Sequence, residues 1–204
     1  MNKTLIDIQN KYKFNTDKNT WHSYLDTYEH LFNRFVGKKV NLFEIGVLAG
    51  ESLKLWSKYL PESVIYGCDI FERVSFEDVE NNLNGFENVF LAGVDSFGES
   101  KTAVDSRDDF FNEIGDTKFE IIIDDGHHDS VSQIKTFNNF IHKLTSDGVY
   151  VIEDIKDWDG HLERIKSELP DVKIVKLKAN HSLNDNILGV YSKDESFFEG
   201  LDYE

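Results

Sequence analysis

The chain has 204 residues and a net charge of −16, with 22 basic and 38 acidic side chains. This length suits one domain with a full hydrophobic core. The negative charge argues against a nucleic-acid backbone or an anionic membrane surface as partner, because binding phosphates needs clustered Lys and Arg. We expect neither a membrane span nor a secretory signal, because no apolar run is long enough and the start is polar. The single cysteine, Cys68, excludes an internal disulfide and fits a cytoplasmic protein.

Apolar runs alternate with stretches of helical periodicity along the chain, a pattern typical of βαβ units and a parallel sheet. In chain order, the sequence predicts a helix at 21–36, a strand at 40–45, a helix at 52–60, a strand at 63–70, a helix at 76–83, a strand at 88–92, a helix at 105–114, a strand at 119–124, a helix at 131–144, a strand at 148–153, a helix at 160–169, and strands at 172–177 and 187–191. The segment between the last two strands is too short for a crossover helix. We therefore expect these two strands to pair as an antiparallel hairpin.

Two of the predicted strands end in adjacent carboxylates, Asp124-Asp125 and Glu153-Asp154. The carboxyl end of a buried parallel strand is where an open α/β sheet places its site. If the two strands are neighbours, three of these side chains converge beside His128, namely Asp125, Glu153 and Asp154. Three carboxylates are costly to hold together unless a cation neutralises them. The pattern therefore predicts a hard-metal site with a histidine at its edge.

The first strand runs into a turn that contains Gly46 and Gly50. Glycines at a strand-to-helix turn let the backbone approach a ligand closely. A dinucleotide fingerprint would need glycines where the chain has Leu48 and Glu51, which weakens a pyrophosphate interpretation. Glu44, just before the turn, would repel a phosphate and attract a cation. The turn therefore favours a ligand with a positive charge and no phosphate.

These residues resemble the class I S-adenosylmethionine-dependent methyltransferases. Glu44-x-Gly46-x-x-x-Gly50 resembles their first motif, and Asp69, about 20 residues after the turn, resembles the acid that binds ribose hydroxyls, although helix capping is an alternative role. Asp95-Ser96 resembles the loop that lies against the adenine. The resemblance implies an α/β fold with a Rossmann-like sheet, mostly parallel with a C-terminal antiparallel hairpin, and helices on both faces. The predicted residues of the donor site are Glu44, Gly46, Gly50, Ser52, Asp69, Asp95, Ser96, Asp124, His22, Tyr24 and Tyr28.

A narrower resemblance is to the metal-dependent sugar O-methyltransferases of macrolide biosynthesis. It is carried in order by Asn15-Thr16-Asp17-Lys18, His22-x-Tyr24, Tyr28-Glu29, Ile123-Asp124-Asp125-Gly126-x-His128 and Val151-Ile152-Glu153-Asp154. The resemblance implies that His128 is the general base and that three carboxylates bind Mg²⁺ or another divalent cation, namely Asp125, Glu153 and Asp154. The family usually has a serine where this chain has His127, so two histidines compete for the role of base.

We therefore expect one methyltransferase domain over 1–204, with 1–37 as an N-terminal helical lid and 38–204 as the Rossmann-like core. Tyr24 and Tyr28 either contact the donor from this lid or simply pack the helix onto the sheet. The expected function is an O-methyltransferase that uses S-adenosylmethionine and Mg²⁺ and acts on a hydroxyl of a free sugar, a glycan or a glycosylated natural product. The alternatives are a catechol-type O-methyltransferase, an NAD-dependent oxidoreductase and a non-catalytic binding module. The expected partner is a small-molecule or glycan acceptor; a homo-oligomer and a place in a larger multidomain protein stay open.

Overall fold

The structure is a computed structural model that describes residues 4–96, 110, 112, 114–177 and 185–204. Its helices are α1 (Leu5–Tyr12), α2 (Leu25–Phe32), α3 (Glu51–Tyr59), α4 (Phe76–Asn82), α5 (Ser130–Phe140) and α6 (His161–Glu168). Its strands are β1 (Asn41–Ile45), β2 (Val64–Asp69), β3 (Val89–Gly93), β4 (Phe119–Asp124), β5 (Leu144–Ile152), β6 (Lys173–Lys176) and β7 (Ile187–Tyr191). Among the described residues, we find no helix with the length and apolar character needed to cross a bilayer.

The seven strands form one sheet in the order β3-β2-β1-β4-β5-β7-β6. The first five of these pair in parallel, whereas β7 is antiparallel to both β5 and β6. This confirms the predicted sheet and its C-terminal hairpin. After β1, the chain adds β2 and β3 on one side of this strand and then adds β4 on its other side. Such a reversal of strand order opens a crevice at the carboxyl ends of the two strands, which is where ligands bind in this class of sheet.

The core lies in two layers, one on each face of the sheet, so the predicted helices on both faces are confirmed. On one face α2 and α3 pack together, with Tyr28 and Trp56 in edge contact at a ring separation of 5.1 Å. On the other face α5 and α6 cover an aromatic cluster that includes Phe43 and Phe119, whose ring centroids lie 5.1 Å apart. Strands β1, β4 and β7 are buried on both faces, which explains their nearly continuous apolar sequences.

Some element bounds differ from the expectations. The helix expected at 21–36 starts only at Leu25, because the N–H groups of residues 20, 21 and 22 all bond to the carbonyl of Asp17 instead. Helix α1 was not expected, since Leu5 and Ile8 are its only buried apolar residues and give too little periodicity. Strand β5 begins four residues earlier than the expected Gly148, in polar residues that carry no apolar signal. Most of the helix expected at 105–114, and 178–184 of the last connection, lie outside the described residues.

Candidate active site

A cavity of about 910 Å³ opens at the carboxyl ends of β1, β2, β3 and β4. One wall is the N-terminal segment around Asn15–Trp21, and the opposite wall is the glycine turn after β1 together with the loops that follow the other strands. Acidic side chains outnumber basic ones in this lining. The cavity therefore suits a cationic or neutral ligand better than an anionic one.

The glycine turn fits closely against the loop after β4. Gly46 has a φ of +83°, and a Cβ at this position would lie 2.1 Å from the backbone oxygen of Asp125, so no other residue can occupy it. Asp69 holds the turn from β2, because its Oδ2 accepts the N–H groups of Val47 at 2.9 Å and Leu48 at 3.0 Å. Asp69 thus shapes the turn as well as lining the cavity.

A buried lysine lies at the inner end of the acidic cluster. The ammonium of Lys18 is 2.6 Å from Glu153 Oε1, 2.7 Å from Asp125 Oδ2 and 3.4 Å from Glu44 Oε1. The Lys18 side chain is fully buried, and Tyr28 also donates its hydroxyl proton to Glu153. The three acids come from the ends of β5, β4 and β1, which are neighbours in the sheet. Lys18 therefore joins the N-terminal segment to the centre of the sheet.

The outer end of the cluster is centred on Asp154. His128 Nδ1 lies 3.0 Å from Asp154 Oδ2 as an ion-pair contact without hydrogen-bond geometry, and His22 Nε2 lies 3.6 Å from Asp154 Oδ1. The Tyr24 hydroxyl donates a hydrogen bond to Asp154 Oδ1. Asp154 has a φ of +55°, a conformation that is strained for a residue other than glycine and that is typical of functional sites.

Burial and mutual repulsion raise the proton affinity of the inner acids. Burial raises the pKa of Glu44 to about 7 and raises the pKa values of Asp125 and Glu153. Burial by itself would lower the pKa of Lys18, but the neighbouring carboxylates outweigh burial and raise it well above its ordinary value. Lys18 is therefore a permanent ammonium.

The two outer groups shift in opposite directions. Burial would lower the pKa of His128, but contact with Asp154 raises it above the ordinary histidine value. Burial would raise the pKa of Asp154, but His128 lowers it. The pair is therefore arranged as a carboxylate beside an imidazole that readily accepts a proton.

The structure divides the predicted site residues into two groups. Those that line the cavity are Gly46, Ser52, Asp69, Asp95, Ser96, Asp125 and His128. Those that do not line it are His22, Tyr24, Tyr28, Glu44, Gly50, Asp124, Glu153 and Asp154. Tyr24 and Tyr28 are buried and bonded to the acidic pair after β5, so packing, one of the two roles considered for them, is the one that these contacts support. Glu44 accepts hydrogen bonds from Ser52 and Trp56 inside the core.

Sequence reasoning missed the role of Lys18. This residue is part of the N-terminal motif, but the motif assigns no role to it, because its two hydrogen-bond partners, Asp125 and Glu153, are more than 100 residues away. Five further residues of that segment line the cavity without having been predicted to do so, namely Asn15, Thr16, Asp17, Thr20 and Trp21. The only available signal was the motif itself.

The residues after β4 and β5 fit a divalent cation. Potential ligand atoms of Asp125, His128 and Asp154 all lie within 4.8 Å of one another, and the same holds for Glu44, Asp125 and Glu153. Carboxylate oxygens are the ligands that Mg²⁺ prefers. The first group is partly exposed, whereas the second surrounds the ammonium of Lys18. Asp125 belongs to both groups.

No protein-family model matches the chain. Individual proteins do match. The 8-demethyl-8-(2-methoxy-alpha-L-rhamnosyl)-tetracenomycin-C 3'-O-methyltransferase of Streptomyces olivaceus is 30% identical over 153 residues, which cover 69% of this chain and 34% of that protein. The mycinamicin VI 2''-O-methyltransferase of Micromonospora griseorubida is 25% identical over 148 residues, which cover 69% of this chain and 33% of that protein. The chain thus spans about a third of the length of these relatives.

Solved structures agree with the sequence relatives. The MycE methyltransferase from the mycinamycin biosynthetic pathway, in complex with Mg and SAH, superposes with a TM-score of 0.67 at 22% identity and covers 96% of this chain and 56% of its own. A fibrillarin pre-rRNA processing protein of Methanococcus jannaschii superposes with a TM-score of 0.57 at 15% identity, over 74% of this chain and 65% of its own. The chain therefore has the class I methyltransferase fold, and it resembles the sugar O-methyltransferases of macrolide and tetracenomycin biosynthesis.

Proposed function

We propose that the chain is an O-methyltransferase that transfers a methyl group from S-adenosylmethionine to a sugar hydroxyl, with a divalent cation and with His128 as the general base. One observation carries the proposal: a single cavity joins the glycine turn and Asp69 to Asp125 and His128. The first pair is suited to holding a donor, and the second pair is suited to activating an acceptor. The acceptor is a free sugar, a glycan or a glycosylated natural product, in keeping with the names of the relatives.

The donor end of the cavity fits a cationic ligand with hydroxyl groups. Asp69 Oδ2 accepts two turn N–H groups and Oδ1 accepts the N–H of Phe71, so one acceptor site of Oδ1 remains for a ribose hydroxyl. Asp95 and Ser96, which follow β3, line the same end. Acidic lining favours a sulfonium, and the neighbour MycE was solved with SAH, the product that remains when such a donor has lost its methyl group.

His128 is placed to accept the proton of the acceptor. In methyl transfer, the acceptor oxygen bonds to the methyl carbon while the carbon–sulfur bond breaks, and the hydroxyl proton must leave to a base. His128 lines the cavity, and its Nδ1 faces Asp154, which leaves Nε2 to take the proton. Asp154 then stabilises the imidazolium that forms. His127 lines the cavity too, but its own Nδ1 is 2.8 Å from Asp129.

The acidic residues after β4 and β5 are suited to a Mg²⁺ ion. Asp125, Glu153 and Asp154 would hold it: ligand atoms of Asp125 and Asp154 already lie within 4.8 Å of one another, and Glu153 is within the same distance of Asp125. When bound, the ion would lower the pKa of a coordinated hydroxyl and fix its orientation. The protein's own contribution is to present these oxygens within reach of His128 and to align the acceptor with the donor. The neighbour MycE was solved with Mg.

Calorimetric titration of the chain tests the proposal. We expect S-adenosylmethionine and SAH to bind, and NAD, used as the control, not to bind. The second step is transfer of a labelled methyl group to a panel of glycosides, which we expect to need Mg²⁺ and to stop with a chelator. Absence of donor binding, with and without Mg²⁺, would contradict the proposal. Transfer to catechols but not to glycosides would contradict the sugar acceptor alone.

A further inference from the structure

The ammonium of Lys18 lies within a cage of three carboxylates, which we call the inner cage: Glu44, Asp125 and Glu153. The three acids follow or end three adjacent strands, and their oxygens lie 2.6 to 3.4 Å from Lys18 Nζ. The ammonium donates hydrogen bonds to Asp125 and Glu153, whereas Glu44 Oε1 is an ion-pair contact at 3.4 Å without hydrogen-bond geometry. Lys18 and Glu44 are both fully buried.

The inner cage also has the form of a metal site. Ligand atoms of its three acids lie within 4.8 Å of one another, as they do in the outer group of Asp125, His128 and Asp154. The two positions share Asp125. The ammonium already occupies the space between the three acids of the inner cage and compensates their charge, so a metal ion could enter this position only by displacing it.

The backbone holds Lys18 firmly at this position. The carbonyl of Asp17 accepts three successive N–H groups at 3.0 to 3.1 Å, and the carbonyl of Lys18 accepts the N–H of Tyr24 at 3.0 Å. Tyr28 adds a hydrogen bond to Glu153 from the same segment. A tightly hydrogen-bonded turn therefore places the lysine in the cage, where its side chain is fully buried.

We propose that Lys18 is the resident cation of the inner cage: it keeps metal ions out of the inner position and confines the exchangeable divalent cation to the outer position beside His128. Lys18 uses Asp125 Oδ2 and Glu153 Oε1, which leaves the second oxygen of each acid for the outer ion. The part concerning the outer ion rests on the proposed function. The part concerning the inner cage does not.

The test is to count bound Mn²⁺ ions by electron paramagnetic resonance on the full chain, without a methyl donor. Lys18→Met removes the charge but keeps an unbranched side chain. We expect this variant to bind one Mn²⁺ more per chain than the wild type. We also expect its melting temperature to fall in a chelator and to rise with Mn²⁺ by more than that of the wild type. The matched control is Lys166→Met, which removes the same charge from a surface pair with Glu204 and should leave the count unchanged.

A second variant covers the case in which Lys18→Met does not fold without metal. Lys18→Met combined with Glu44→Gln removes one charge of each sign, and a glutamine oxygen can still accept the hydrogen bonds of Ser52 and Trp56. We expect this variant to fold in a chelator and still to gain one Mn²⁺. An unchanged count in a folded variant would overturn the inference. If the wild type binds no Mn²⁺ and the variant binds one, the result would support the role of Lys18 in the inner cage and contradict the metal part of the proposed function.

Discussion

His127 and His128 are adjacent in sequence but differ in what their side chains contact. The side chain of His128 is 37% exposed and faces Asp154, which raises its pKa. The side chain of His127 is 65% exposed and is paired with Asp129, the residue that caps α5. A general base must reach the acceptor and gain from a partner that stabilises its protonated form. Both histidines line the cavity beside an acid, but the partner of His128 is the largely buried Asp154, whereas the partner of His127 is the exposed Asp129. His128 is also the one that lies beside Asp125 in the acidic cluster.

We expect His128→Ala to lower kcat by about 10²- to 10⁴-fold, the usual contribution of a general base. The dissociation constant of the methyl donor should stay within a few-fold of the wild-type value, because the donor end of the cavity is unchanged. Steady-state methyl transfer and calorimetry measure the two quantities. The control is His127→Ala, for which we expect a small change in kcat. If only the His127 variant lost activity, His127 and not His128 would be the general base, which would contradict the proposal.

At the scale of elements, the turn between β1 and α3 brings the donor end and the acceptor end of the cavity together. Gly46 packs its α-carbon against the backbone of Asp125, so a one-atom side chain there would displace the loop that carries Asp125 and His128. Gly37 has a similar φ of +76°, but nothing lies within 4 Å of the position of its Cβ. A comparison of the two glycines therefore distinguishes the cost of a left-handed backbone conformation from the cost of a steric clash.

We expect Gly37→Ala to cost about 1–2 kcal/mol in free energy of unfolding, the penalty of a left-handed conformation for an L-residue. Gly46→Ala should cost more than this and should also abolish donor binding, because it adds a clash to the same strain. Urea unfolding and donor titration measure both effects. Equal losses of stability in the two variants would show that the turn can move away from Asp125.

Most elements could be predicted because their signals are local. Strands β4 and β7 have the bounds expected from their apolar runs, and the short connection between β6 and β7 correctly predicted an antiparallel pair. The polar start of β5 carried no such signal, and pairing with Phe119 of β4 defines it instead. The cage around Lys18 could not be predicted for a related reason. Periodicity reports which face of an element is buried, whereas this contact joins residues that only the complete sheet brings together.

At the scale of the whole molecule, we propose that 1–204 is one methyltransferase domain in which the N-terminal segment is a structural part and not a detachable cover. Helix α2 supplies Tyr28 and Phe32, both fully buried, to the core beneath the sheet. The segment also supplies the only cation that the structure places in the inner cage, within the residues it describes. Removing it would leave Glu44 and Glu153 buried without that charge, which is strongly unfavourable.

Hydrogen exchange of the backbone amides tests this. We expect the amides of α2 to exchange with the same free energy of opening as those of β4, because both belong to one cooperative core. Helix α4, in which Val79 is the only buried residue, is the internal comparison and should exchange through local opening. Exchange of α2 as fast as that of α4 would instead support a lid that opens by itself.

The contacts of Lys18 also determine when the site can form during synthesis. Lys18 precedes Glu153 by 135 residues, and Tyr28 precedes it by 125. A ribosome makes the N-terminal segment first, so the contacts of Lys18 and Tyr28 with Glu153 cannot form until β5 has emerged. Contacts between residues so far apart in sequence form slowly, because a long loop must close before they stabilise anything. The acidic end of the sheet is therefore assembled late. An incomplete chain that ends before β5 holds Lys18, Glu44 and Asp125, but it lacks Glu153 and Asp154 and therefore the contacts that they make with Tyr28, Tyr24 and His128.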